Sequence, residues 1–158
     1  MKKFPFCFFK FFVSMGICVG GGWLMGLFTR SGIKEWYPHL VKSSLTPPSI
    51  VFPIAWSALY FLMGLSLYLV WVSPLKKKKL TLSIFGVQLF FNFIWSFIFF
   101  YKRSTGLALI DIALLWLAIL ATMILFRRFS KWSTWLLAPY LVWVSFAFYL
   151  NFFIWNHI

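Results

Sequence analysis

Residues 105–126 read TGLALIDIALLWLAILATMILF, a run of apolar side chains broken by one ionisable group, Asp111. At 1.5 Å of rise per residue, a helix of this length extends about 33 Å, enough to cross the roughly 30 Å hydrocarbon core of a bilayer. Working outward from it, comparable runs recur at 9–28, 49–72, 80–100 and 134–156. The expectation is an all-α membrane protein, one domain over residues 1–158, built as a five-transmembrane-helix bundle. Composition agrees: 63% of the chain is hydrophobic and 11% charged, where a soluble domain carries about half and a quarter, so a water-soluble fold is excluded. A signal-peptide reading of the first run is the weaker one, because Lys10 interrupts its start and Trp23 to Phe28 continue it past any cleavage site.

The net charge of +13 would point to nucleic acid in a soluble protein. Here the basic residues are confined to breaks between apolar runs, so they set topology and no nucleic-acid partner is expected. Lys2, Lys3, Lys10, Lys76 to Lys79, Arg127, Arg128 and Lys131 fall on one side, against Arg30, Lys34, Lys42, Lys102 and Arg103 on the other. By the positive-inside rule the N-terminus is cytoplasmic and the C-terminus outside. Cys7 and Cys18 have no metal-ligand spacing and read as packing residues, and His39 and His157 have no partners, so no metal site is expected. No nucleophile with an adjacent base, glycine-rich phosphate loop or paired carboxylates is visible, which argues against hydrolytic or transfer catalysis.

Residues 29–48 form the one long break and contain Trp36, Tyr37, Pro38, Pro47 and Pro48. Rings need packing partners and prolines stiffen the backbone, so this segment is expected to be a lid. Pro53 and Pro139 are expected in the first turns of spans two and five.

Polar side chains inside spans are costly and therefore informative. Gln88, Asn92 and Ser96 share one face of span three, Asp111 lies in span four, and Trp56 and Tyr60 lie one turn apart in span two. Tyr140, Trp143, Ala147 and Asn151 make a stripe on span five. Counted from the outer end of each span, Trp56 and Asp111 come about 10 Å deep, Asn92 about 13 Å, Ala147 about 15 Å and Trp143 about 20 Å. Two readings stand: an aromatic and polar cavity under the long loop, or interior packing contacts with interfacial Trp anchors. The GxxxG spacings Gly16 to Gly20 and Gly22 to Gly26 equally suit a dimer seam or internal packing.

The ordered set Trp36-Tyr37-Pro38, Lys42, Thr46-Pro47-Pro48, Val51-Phe52-Pro53, Trp56, Leu59-Tyr60 and Met63-Gly64 resembles the TspO/translocator protein family. So do Gln88-Leu89, Asn92, Trp95-Ser96, Asp111, Leu114-Leu115-Trp116, Pro139-Tyr140-Leu141, Trp143, Phe146-Ala147 and Leu150-Asn151, so that the likeness runs through nearly the whole chain. This resemblance implies a five-helix bundle, usually a homodimer in a lipid bilayer, that binds porphyrins such as protoporphyrin IX and related aromatic ligands, with no intrinsic cofactor. It implies that Trp56, Asn92, Trp143 and Ala147 line the pocket, with Trp36, Tyr60, Asp111, Tyr140 and Asn151 as neighbours. It further implies, for some bacterial members, light- and oxygen-dependent porphyrin degradation in which Trp56 and Trp143 would be the reactive side chains. Two departures bear on this. The family's usual Lys-Pro-Ser reads Lys42-Ser43-Ser44, and loss of that proline is expected to loosen the lid. No basic residue follows Tyr149, so a C-terminal cholesterol motif is absent, and a bacterial cell membrane is the expected location.

Overall fold

In the computed structural model, which describes residues 6–158, five helices are long and apolar enough to cross a membrane: α1 Phe8–His39, α2 Val51–Val72, α3 Lys79–Tyr101, α4 Thr105–Phe126 and α5 Lys131–Asn156. No strand occurs among the described residues. Lys2 and Lys3, counted in the charge comparison, lie outside them. On α4, Ala108, Asp111, Ile112, Leu115 and Ile119 face the bundle, while Leu107, Ile110, Leu114 and Leu117 face outward. A helix apolar on both faces has no soluble solution; lipid takes the outer stripe and neighbouring helices the inner one.

Local chemistry sets the turns. Ser130 caps α5: its hydroxyl accepts from the Ser133 amide at 3.4 Å, and the Ser133 hydroxyl donates back to the Ser130 carbonyl at 2.7 Å. At the far end of α2, Lys78 Nζ donates to the Trp71 carbonyl at 2.8 Å and to the Ser73 carbonyl, closing the last turn against its free acceptors. Burial first, and neighbouring Lys10 second, lower the pKa of that ammonium.

Two expectations about where helices begin and end are corrected. α1 does not stop near residue 28: it continues to Ser31, through a π turn at Gly32–Trp36 and a 3-10 turn at Tyr37–His39, so the connecting loop is residues 40–50. Charged residues such as Arg30, Lys34 and Glu35 limit how far lipid can cover a helix, but they do not end it. Pro139 is not in a first turn, because the Ser130 cap starts α5 at Lys131 and leaves Pro139 well inside a continuous helix.

Register along the bundle axis creates the important asymmetry. Antiparallel α2 and α5 meet where the Ser66 hydroxyl donates to the Ser133 carbonyl at 2.7 Å, where Trp56 faces Tyr140 at 6.3 Å between ring centroids, and where Phe52 faces Trp143 at 6.0 Å. The first turn of α2 is therefore level with Trp143, and α5 runs about 20 Å further. The depth expected for Trp143 is corrected accordingly, since counting from residue 156 assumed that α5 ends level with α2. α1 crosses from α2, where Gly64 abuts Met15 and Gly22 abuts the Tyr60 ring, to α3, where Gly32 lies against the Phe100 carbonyl. In one half of the bundle α1 seals α2; in the other it leaves a gap beside the short end of α2.

Candidate ligand cavity

That gap is a partly open cavity of about 1040 Å³, lined at its upper end by the 40–50 loop. Its floor is Tyr60, with Trp56 stacked on it at 5.6 Å and 30°. The Tyr60 hydroxyl donates to Asn92 Oδ1 at 2.6 Å, and Asn92 Nδ2 donates to the Tyr140 hydroxyl at 2.9 Å, so one buried amide ties α2, α3 and α5 together beneath the floor. A buried amide that spends its donor and acceptor on two phenols holds both rings in single orientations.

The back wall rests on a second amide. Asn151 Oδ1 accepts from Trp95 Nε1 at 3.1 Å, and its Nδ2 donates to the Thr105 carbonyl at 2.9 Å, which joins α5 to α3 and to the start of α4. Trp95 in turn stacks on Phe99 at 5.2 Å. Trp143 lines the opposite side and packs on Phe52 and Phe146; its indole N–H is shielded and has no protein partner. Beside it, Ala147 keeps the wall open by having no bulk.

The roof is held by two side chains. Lys42 Nζ donates to the carbonyls of Pro38 at 3.0 Å and Tyr37 at 3.3 Å, capping the end of α1. Ser43 is buried, and its hydroxyl pairs with that of Tyr149 on α5 at 2.9 Å. The hydroxyl thus attaches the loop to the overhanging end of α5, a contact that a proline side chain cannot make.

Of the residues singled out from the sequence, Trp56, Tyr60, Trp143, Ala147 and Asn151 stand together in the cavity wall. Asn92 and Tyr140 lie one layer below it, acting on the wall through Tyr60 and Trp56. Trp36 turns away and packs edge-on against Phe99 at 5.5 Å. Asp111 is buried on the inner face of α4, one carboxylate oxygen without a partner, and is not part of the wall. Sequence reasoning quoted Phe52, Trp95, Gly22 and Gly26 without assigning them to the site, and passed over Phe99 and the rest of the α1 face, Val19, Thr29 and Ile33. The three-to-four-residue spacing of that α1 stripe was the available signal, hidden because its members are apolar or small.

Chemically the wall offers flat rings for stacking, a few hydroxyls, unpaired indole N–H groups and one ammonium. It suits capture of a large, flat, mostly apolar molecule better than proton transfer, which needs a base within reach of a reacting group.

The chain has relatives over most of its length. The chain is 42% identical to the tryptophan-rich protein TspO of Chlorobaculum tepidum, over 87% of this chain and 89% of that protein. It is 40% identical to the tryptophan-rich sensory protein of Cereibacter sphaeroides, over 75% of this chain and 73% of that one. Identity to the human translocator protein is 36%, over 91% of this chain and 85% of the relative. A family model matches residues 14–156, nearly every residue of the five-helix bundle that carries the cavity, and the chain belongs to the TspO/MBR family.

Proposed function

We propose that this membrane protein is a receptor for porphyrins, with protoporphyrin IX as the representative ligand, and for related flat aromatic molecules, serving in tetrapyrrole sensing, sequestration or transport. The observation that carries the reading is the size and lining of the cavity. Drug-sized ligands occupy sites of about 300–1,000 Å³, and this one, at about 1040 Å³, has room for a macrocycle between Trp56, Trp95 and Trp143. Titrating purified protein with protoporphyrin IX is expected to quench its tryptophan fluorescence to saturation, and Trp143→Phe to weaken binding about fivefold or more. Quenching without saturation, or an unchanged affinity in the variant, overturns the reading.

A second reading is favoured by one observation, the presence of both Trp56 and Trp143 in the wall. There, an excited porphyrin in the presence of oxygen would have oxidisable indoles within reach. Illuminated samples are expected to lose porphyrin absorbance faster in wild type than in Trp56→Phe; equal rates remove photochemical degradation from consideration.

The assembly we propose is a homodimer in a bacterial cell membrane, N-terminus inside. Gly16 and Gly20, neither of them in the cavity wall, support the dimer, because a side chain added at either would meet nothing of its own chain. The clustering of Lys10, Lys76 to Lys79, Arg127, Arg128 and Lys131 on the N-terminal face supports the orientation.

A further inference from the structure

Among the described residues, the cavity wall contains one charged side chain, Lys42. The chain's acidic residues are Glu35 and Asp111, and neither is in the wall, so no carboxylate there neutralises the ammonium. Its position is defined. Nζ lies 5.1 Å from the centroid of the Tyr37 ring, and two of its three protons go to the Tyr37 and Pro38 carbonyls. Those acceptors orient the group and leave one donor and the whole positive charge available.

The surroundings carry the same sign. Arg30, Lys34, Lys102 and Arg103 lie at the ends of α1 and α3, which touch at Gly32 and Phe100, with Glu35 as the lone acidic side chain of that face. A cation in the wall of a cavity lined by low-dielectric aromatic rings, on a face of the same sign, focuses its potential on anionic molecules. The other polar side-chain groups in the wall are neutral hydroxyls, an amide already paired on both sides, and indole N–H groups.

Resting on the porphyrin reading above, we propose that Lys42 selects among flat aromatic ligands, requiring an anionic substituent, a carboxylate in the porphyrin case, at the roof end of the ring system. The ligand therefore sits with its apolar edge toward Tyr60 and its acidic edge under the 40–50 loop. A charge-assisted hydrogen bond forms there, between Nζ–H and a carboxylate oxygen. Because Lys42 also caps α1, ligand binding and loop closure draw on the same side chain.

The test compares protoporphyrin IX with its dimethyl ester, which keeps the ring and removes both charges, on the full-length protein in detergent. Wild type is expected to bind the free acid about tenfold more tightly than the ester. Lys42→Gln is expected to bring the two affinities within about twofold of each other by weakening the acid much more than the ester, and Lys42→Arg to keep the preference. Lys42→Met, which retains an unbranched apolar stem over Tyr37, gives the same readout should the glutamine variant unfold. Saturable and equal binding of acid and ester by wild type overturns this proposal alone, as does a preference that survives both Gln and Met. Failure of wild type to bind either compound overturns the porphyrin reading and this proposal with it.

Discussion

Around Met63 and around Trp143 the same classes of side chain, packed on the same helices, produce opposite results. Near Met63 the bundle is filled: Gly64 admits Met15, Phe85 stacks on Phe126 at 5.6 Å, and Cys18, Met63 and Val70 are fully buried. Near Trp143 comparable aromatic content encloses a large cavity. What differs is geometry. In the filled half α1 lies against α2, and every helix has neighbours at its own level; in the open half α1 has moved to α3, and α2 has ended while α5 continues. Small residues mark both halves, but Gly22 and Gly64 serve close packing, whereas Ala147 preserves space. Without a hydrophobic drive between helices in lipid, van der Waals contact holds the filled half and a few side-chain hydrogen bonds define the open one.

The comparison can be broken most directly by cavity-forming substitutions in each half. Met63→Ala is expected to lose about 3 kcal/mol of stability, read by thermal unfolding in detergent micelles, because its neighbours cannot collapse into the space. Phe52→Ala, facing a space that already exists, is expected to lose less than about 1 kcal/mol while weakening porphyrin binding. Similar losses from the two would show that the open half is filled as tightly as the other. Gly32→Ala comes next in size, at about 2 kcal/mol, since its new methyl would run into the Phe100 backbone carbonyl, which has no rotamer to escape by. If that variant melts with wild type, α1 does not hold its close approach to α3.

Asn92→Leu sharpens the boundary between the halves. Losing the shared amide frees the phenols of Tyr60 and Tyr140, and about 1–2 kcal/mol of stability is expected to go with it. Fluorescence titration should also show weaker porphyrin affinity through a disordered floor, and a variant that loses stability while binding normally would assign Asn92 to the filled half alone. The smallest effect is expected at the roof. Ser43→Ala removes the hydroxyl contact with Tyr149, worth about 0.6 kcal/mol, so ligand dissociation measured by stopped flow should quicken about threefold with stability almost unchanged. An unaltered dissociation rate would mean that the loop is closed by Lys42 and its prolines without that hydroxyl.

Much of the candidate site was readable because polar atoms are rare in hydrocarbon and therefore stand out. Trp56, Tyr60, Trp143, Ala147 and Asn151 were reached from spacing and depth together with the family likeness, and they do share the cavity. Asn92 and Tyr140 were drawn into the same set, although their mutual hydrogen bond places them below the floor; a face of a helix can be read from sequence, but not which layer of a bundle it joins. Trp36 illustrates the same limit. Its position seemed to belong to a loop, yet α1 continues through it and directs its ring onto Phe99.

Taken by itself, the amino-acid sequence determined the five spans, their all-helical character and the family, because a bilayer imposes length, apolarity and internal backbone hydrogen bonding on any segment that crosses it. The cavity was decided only by tertiary structure. How far one helix slides along another depends on a few exact contacts, here the Ser66 hydroxyl with the Ser133 carbonyl and Gly32 with Phe100. Periodicity specifies which face of a helix turns inward, and it is unchanged by sliding that helix along its axis, so the offset that opens the site leaves no trace in the pattern.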